Sequence, residues 1–254
     1  MSADHKETAN VQAKRVAIVI SNPTTETTTM QTAGFWWSEL THPYYEFIQA
    51  GYEVEIFSND GGECVADATS DPRDQSGYAA NDLITKGFIA TERLFKLVQN
   101  TRKVNEIETE KFDAIFVAGG QGPMYTYETA KDLQNKVVDF FETGKVVATI
   151  CHGAAILKFA RLADGKYLTE GRNVGGFSNA EEDFIDNVMW QNGYLPAGQS
   201  FTPWRIEDTM KSTGANYLEG GLWKPFAVRD GKLVTGQQNF SGAVTAQKVI
   251  EVIS

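Results

Sequence analysis

The chain is poor in cysteine, with two in 254 residues, and poor in histidine, with three. Cys64 and Cys151 lie far apart in sequence, and neither sits in a Cys/His cluster of the kind that binds zinc, so no metal is expected. A chain of this length needs no disulfide to support its core, and both are expected to be free thiols. Long apolar runs are missing too. Residues Met1 to Gln12 are polar and lack the apolar centre of a secretory signal, and no later stretch approaches the ~18 apolar residues of a membrane span. The expectation is a cytoplasmic protein with a flexible N-terminus over residues 1–13. Basic residues are outnumbered: 23 Lys and Arg against 33 Asp and Glu leave a formal charge of -10, which repels phosphate backbones and anionic lipid surfaces. Nucleic acid and membrane are therefore not expected as partners. There is no internal repeat and no low-complexity tract, although Thr24 to Thr29 is a short Thr/Glu-rich loop.

What the chain does have is apolar runs spaced for an α/β fold. Lys14 to Ile20, Phe112 to Val117 and Lys145 to Ile150 are short and rich in β-branched residues, the pattern of strands buried on both faces. Trp37 to Ala50 reads as a helix stopped by Gly51, with Tyr52 to Phe57 as the next strand, completing a right-handed β-α-β unit. Asn59 to Gly77 carries turn chemistry in Asn59-Asp60-Gly61-Gly62 and Asp71-Pro72; a loop this long is often functional. Asn81 to about Val104 suits one or two helices with Gly87 as a possible break. Asp132 to Thr143 is another helix, and Cys151 to about Arg161 another. Asp230-Gly231 marks a hairpin turn within Phe226 to Val234, and Ser241 to Ile253 closes the chain as a helix. This alternation predicts one α/β domain over residues 14–254: a doubly wound, mostly parallel sheet with helices on both faces.

In such a sheet reactive groups gather at the carboxyl ends of the strands. Two places qualify here, Ile150-Cys151-His152-Gly153 and Gly119-Gly120-Gln121-Gly122. A cysteine at a strand-to-helix turn faces a helix N-terminus, which favours the thiolate and predicts a lowered pKa. Gly153 relieves crowding at the turn, and the backbone N–H groups of His152 and Gly120 are candidate donors to a developing oxyanion. His152 is placed to act as base or proton carrier. A lone cysteine is more often a small buried apolar residue; the flanking strand, helix, histidine and glycines are what favour a nucleophile.

Ala118-Gly119-Gly120-Gln121-Gly122-Pro123, followed by Ala148 to Ala155, resembles the ThiJ/PfpI superfamily, whose flavodoxin-like fold is similar to that of class I glutamine amidotransferases. Gly34 to Pro43, Gly175 to Glu182 and Leu233 to Gln237 extend the resemblance to its heat-shock-induced branch of glyoxalase III and chaperone proteins. The resemblance implies that Cys151 is the nucleophile, that His152 is its neighbouring histidine, and that Glu39 is the acid contacting the sulfur. A further acid is implied to orient the histidine; Glu182 is the choice and Glu181 the fallback. Ser38 stands where many relatives carry a second glutamate, and Gln238-Asn239 replaces the usual Asn-Pro, so the pocket wall is expected to differ. Trp190 to Trp204 reads as an irregular lid or loop. The implied activity is cofactor-free conversion of small α-oxoaldehydes such as methylglyoxal to 2-hydroxy acids, in a homodimer. The alternatives are a stress-related holdase chaperone, or a cysteine peptidase or other hydrolase. An amidotransferase of this kind needs a downstream His-x-Glu, and no histidine follows His152.

Overall fold

The β-branched runs become strands of one seven-stranded sheet: β1 (Arg15–Ile20), β2 (Glu53–Ser58), β3 (Arg102–Lys103), β4 (Ala114–Val117), β5 (Val146–Ile150), β6 (Ala227–Asp230) and β7 (Leu233–Gly236). Their order is β6-β7-β5-β4-β1-β2-β3, parallel throughout except for the β6–β7 hairpin. This computed structural model describes residues 13–26 and 31–254. The expected flexible N-terminus therefore lies almost entirely outside the described residues, as do Thr27 to Thr29 of the Thr/Glu-rich loop; Thr24–Thr25 pairs antiparallel with Thr32–Ala33.

The central strands β4 and β5 are buried at every position, and β1 at all but its first residue, because helices cover the sheet on both faces. Helices α1 (Trp37–Gln49), α2 (Leu83–Ala90), α3 (Glu92–Gln99) and α7 (Gly242–Ile253) form one layer, with α7 and α2 both packed on α1. The second layer holds α4 (Lys131–Glu142), which packs on β4 and β5 and on the helical segment after β5. Gly51, at φ +79°, ends α1 in the left-handed conformation that a side chain disfavours.

Two expectations need correction. The break between the two helices after Asn81 falls at Thr91, which is extended and ends α2 as it begins α3; Gly87 sits inside α2, where glycine costs only about 1 kcal/mol. The segment after β5 is a 3-10 helix, Cys151–Lys158, and not an α-helix. Besides these, α5 (Asn179–Gln191) and α6 (Ile206–Ser212) were not anticipated as helices. The buried residues of α5 are Glu181, Glu182 and Asp186, so apolar periodicity could not reveal it. Trp190 and Gln191 lie in α5, and the chain from Asn192 to Trp204 is irregular.

Candidate active site

The parallel register sets Val117 of β4 beside Thr149 of β5, so the Gly119-Gly120 loop and the Cys151 turn leave the sheet side by side. Cys151 makes that turn at φ +56°, a conformation few residues with a Cβ adopt. The turn is tight: a Cβ on Gly153 would lie 2.5 Å from the Val117 carbonyl oxygen. The thiol is buried, 4% exposed.

His152 Nδ1 lies 3.5 Å from Cys151 Sγ, and Nε2 lies 2.9 Å from Glu182 Oε1. With Nε2–H donating to the carboxylate, Nδ1 is left bare to accept the thiol proton. The ring is buried and stacks on Phe177 at 4.3 Å between centroids, which fixes its plane. Glu182 reaches it from the first turn of α5, whose N-terminus is capped by Ser178. Glu181 points elsewhere. One of its oxygens completes the capping box with Ser178, and the other accepts from Gln237 Nε2 at 2.8 Å and from the Trp223 N–H at 3.1 Å. Of the two acids considered, Glu182 is therefore the one in contact with His152.

Glu39 comes from the first turn of α1 and is fully buried. Its Oε2 accepts the Gly119 N–H at 2.8 Å, while its Oε1 has no hydrogen-bond partner among the described residues. Burial pushes its pKa up to about 8, against the influence of the nearby Cys151 thiol and the Gly119 N–H bond, and the charge of Asp67 adds to the rise. Glu39 is thus protonated at neutral pH. The Cys151 thiol is pushed up as well, first by burial and then by the Glu39 charge, opposed by the His152 backbone N–H. The expected lowering does not occur: desolvation of a buried thiolate outweighs one 3-10 N-terminus. Ionising this thiol therefore calls for a proton acceptor in contact with it, and His152 is one.

Gly120 has φ +104°, and a Cβ there would come within 2.5 Å of the Gly34 carbonyl oxygen. Its N–H has no hydrogen-bond partner among the described residues. Among those residues, no group of three or more His, Cys, Asp and Glu side chains is arranged to hold a metal ion.

This turn, triad and glycine loop lie within a larger match: the family model of the DJ-1/PfpI family covers residues 29–189. The chain belongs to the DJ-1/PfpI family. Among curated members, the Saccharomyces cerevisiae protein named glutathione-independent glyoxalase HSP31 is 31% identical over 220 residues, 85% of this chain and 87% of that one. Among solved structures, glyoxalase III from Candida albicans superposes with a TM-score of 0.74 at 26% identity, over 95% of this chain and 98% of its own. The rapid encystment protein REP24 from Francisella tularensis gives a TM-score of 0.82 at 27% identity, over 95% and 99%.

Two features of this DJ-1/PfpI site were not found from sequence. Asp67, in the long loop after β2, is buried with its carboxyl on the Gly34 and Gln121 N–H groups; only the length of the loop hinted at it. A cavity of about 490 Å³ opens beside the site, lined in part by Trp36, Ser38, Tyr78, Asn239 and Phe240. Trp36 bonds through its N–H to the Gly119 carbonyl at 3.1 Å, and the Tyr78 hydroxyl accepts from Asn239 Nδ2 at 3.3 Å. The departures Ser38 and Asn239 both fall in this wall, joined by a 3.0 Å bond from Ser38 Oγ to the Asn239 carbonyl.

Proposed function

We propose that the protein is a glutathione-independent glyoxalase, converting small α-oxoaldehydes such as methylglyoxal to 2-hydroxy acids with Cys151 as nucleophile. The observation that carries this reading is the buried chain from Cys151 Sγ through His152 to Glu182, set against a Glu39 that is neutral at pH 7. His152 Nδ1 takes the thiol proton as sulfur adds to the aldehyde carbon, forming a hemithioacetal. The N–H groups of Gly120 and His152 receive the oxyanion, and Glu182 supports the imidazolium. Glu39 and His152 then move a proton from the aldehyde carbon to the neighbouring carbonyl carbon. That shift oxidises the first carbon to a thioester and reduces the second to an alcohol, so no external oxidant or reductant is consumed. Water cleaves the thioester, releasing the hydroxy acid and the thiol.

Substrate is taken to enter through the cavity that Trp36 and Tyr78 line, where their rings meet edge to face at 5.8 Å. The reading includes a homodimeric, cytoplasmic protein, and size-exclusion chromatography with light scattering tests the assembly. Proton NMR of methylglyoxal incubated with purified protein, without glutathione, tests the function. Lactate is the expected product. Persistence of the aldehyde hydrate signals with no lactate would overturn it.

A further inference from the structure

Three consecutive backbone N–H groups follow β4, at Gly119, Gly120 and Gln121. The outer two are each held by a buried carboxyl: Gly119 donates to Glu39 Oε2 at 2.8 Å, and Gln121 donates to Asp67 Oδ2 at 2.7 Å. The middle one, on Gly120, is free among the described residues. Asp67 also ties this loop to the segment that enters α1. Its Oδ1 accepts the Gly34 N–H at 2.8 Å, its own N–H donates to the Phe35 carbonyl at 2.8 Å, and the Gly34 carbonyl accepts the Gly122 N–H at 2.8 Å. A buried carboxyl is costly unless its hydrogen bonds compensate it, and here both side-chain partners are backbone N–H groups on two different segments. A side chain able to accept from both at once is what this position requires.

We propose that Asp67 is a positioning residue, which fixes the Gln121 and Gly34 peptides so that the free Gly120 N–H stays aimed at the oxygen that becomes charged when Cys151 adds to a carbonyl. The proposal rests on the reading of Cys151 as nucleophile and Gly120 as oxyanion donor given above. Glu39 and Asp67 then act as two posts on either side of the donor. Burial pushes the Asp67 pKa up to about 7, against the two N–H bonds and the attraction of His152, so this post is held at the expense of an easily ionised carboxylate.

The test compares two reactions of Cys151 that differ in one respect. Acylation by p-nitrophenyl acetate forms the sulfur–acyl bond, expels p-nitrophenolate and passes through a tetrahedral oxyanion. Alkylation by iodoacetamide displaces iodide and has no oxyanion. Asp67→Asn keeps the size but sets an NH2 group against one of the two N–H donors. It is expected to slow single-turnover acylation by about 10- to 100-fold, the range for a displaced oxyanion donor, and to leave alkylation within about twofold. Mass spectrometry of the peptides confirms that both labels sit on Cys151. Asp67→Ser, which keeps one acceptor, is measured alongside in case the asparagine variant does not fold. Acylation and alkylation falling in step, or acylation unchanged, would overturn the positioning role. A wild-type protein that is alkylated but never acylated at Cys151 would instead overturn the oxyanion reading beneath it.

Discussion

Replacing Glu39 by glutamine tests whether the acid beside the sulfur holds its proton in the folded state. The carboxyl has an ordinary value of 4.5 and is pushed up to about 8 by burial in the fold. A raised acid binds more protons folded than unfolded between those values, so its contribution to stability is fully present below pH 4.5 and is lost as pH rises through 8. The shift spans about 3.5 pH units, which at ~1.4 kcal/mol per unit sets an upper bound of roughly 5 kcal/mol. Glutamine keeps the size and an accepting oxygen for the Gly119 N–H, but it does not titrate. Urea denaturation at pH 5, 7 and 9 should show the wild type losing several kcal/mol towards alkaline pH. Glu39→Gln should lose markedly less. Asp67 titrates too and interacts with Glu39, so the comparison is repeated in an Asp67→Asn background. Parallel stability curves for the two proteins would refute a protonated Glu39. The same variant should retain a reactive thiol while turnover falls by roughly 10²–10⁴-fold, as for a lost acid-base group.

Glu182→Gln should lower kcat by ~10²-fold or more, because Nε2 of His152 loses the carboxylate it contacts at 2.9 Å. Glu181→Gln should act mainly on the melting temperature, since Glu181 holds the α5 cap, Gln237 and Trp223; steady-state kinetics and thermal melts of both variants separate the two roles. Cys151 should be alkylated before Cys64 in the native protein, as followed by peptide mapping. Both thiols are buried, but only Cys151 has an imidazole at 3.5 Å, whereas Cys64 has Asn22 and Thr101 beside it; first labelling at Cys64 would contradict the assignment.

How much was legible depended on what each residue's burial looks like in sequence. β1, β4 and β5 stood out because a strand covered on both faces must be apolar at every position, and the Cys151 turn because glycine and histidine follow such a strand. Helix α5 was hidden because its buried side chains are Glu181, Glu182 and Asp186, which a reading of apolar periodicity counts as solvent-facing. Gly87 was read as a break because glycine is a poor helix former, yet its effect on α2 is small beside the extended backbone of Thr91. The thiol of Cys151 was placed on the wrong side of its ordinary pKa because the helix terminus is visible in sequence and the burial is not. Asp67 was missed for the same reason: 54 residues separate it from the Gln121 N–H that it holds.

The central claim is that Cys151 forms a covalent bond to the aldehyde carbon. Mass spectrometry of protein quenched during methylglyoxal turnover, with peptide mapping and parallel rate measurements on Cys151→Ala, tests it most directly. The account predicts an adduct of substrate mass on Cys151 in the wild type, and neither adduct nor lactate formation in the variant. Lactate formed by Cys151→Ala at the wild-type rate would contradict it.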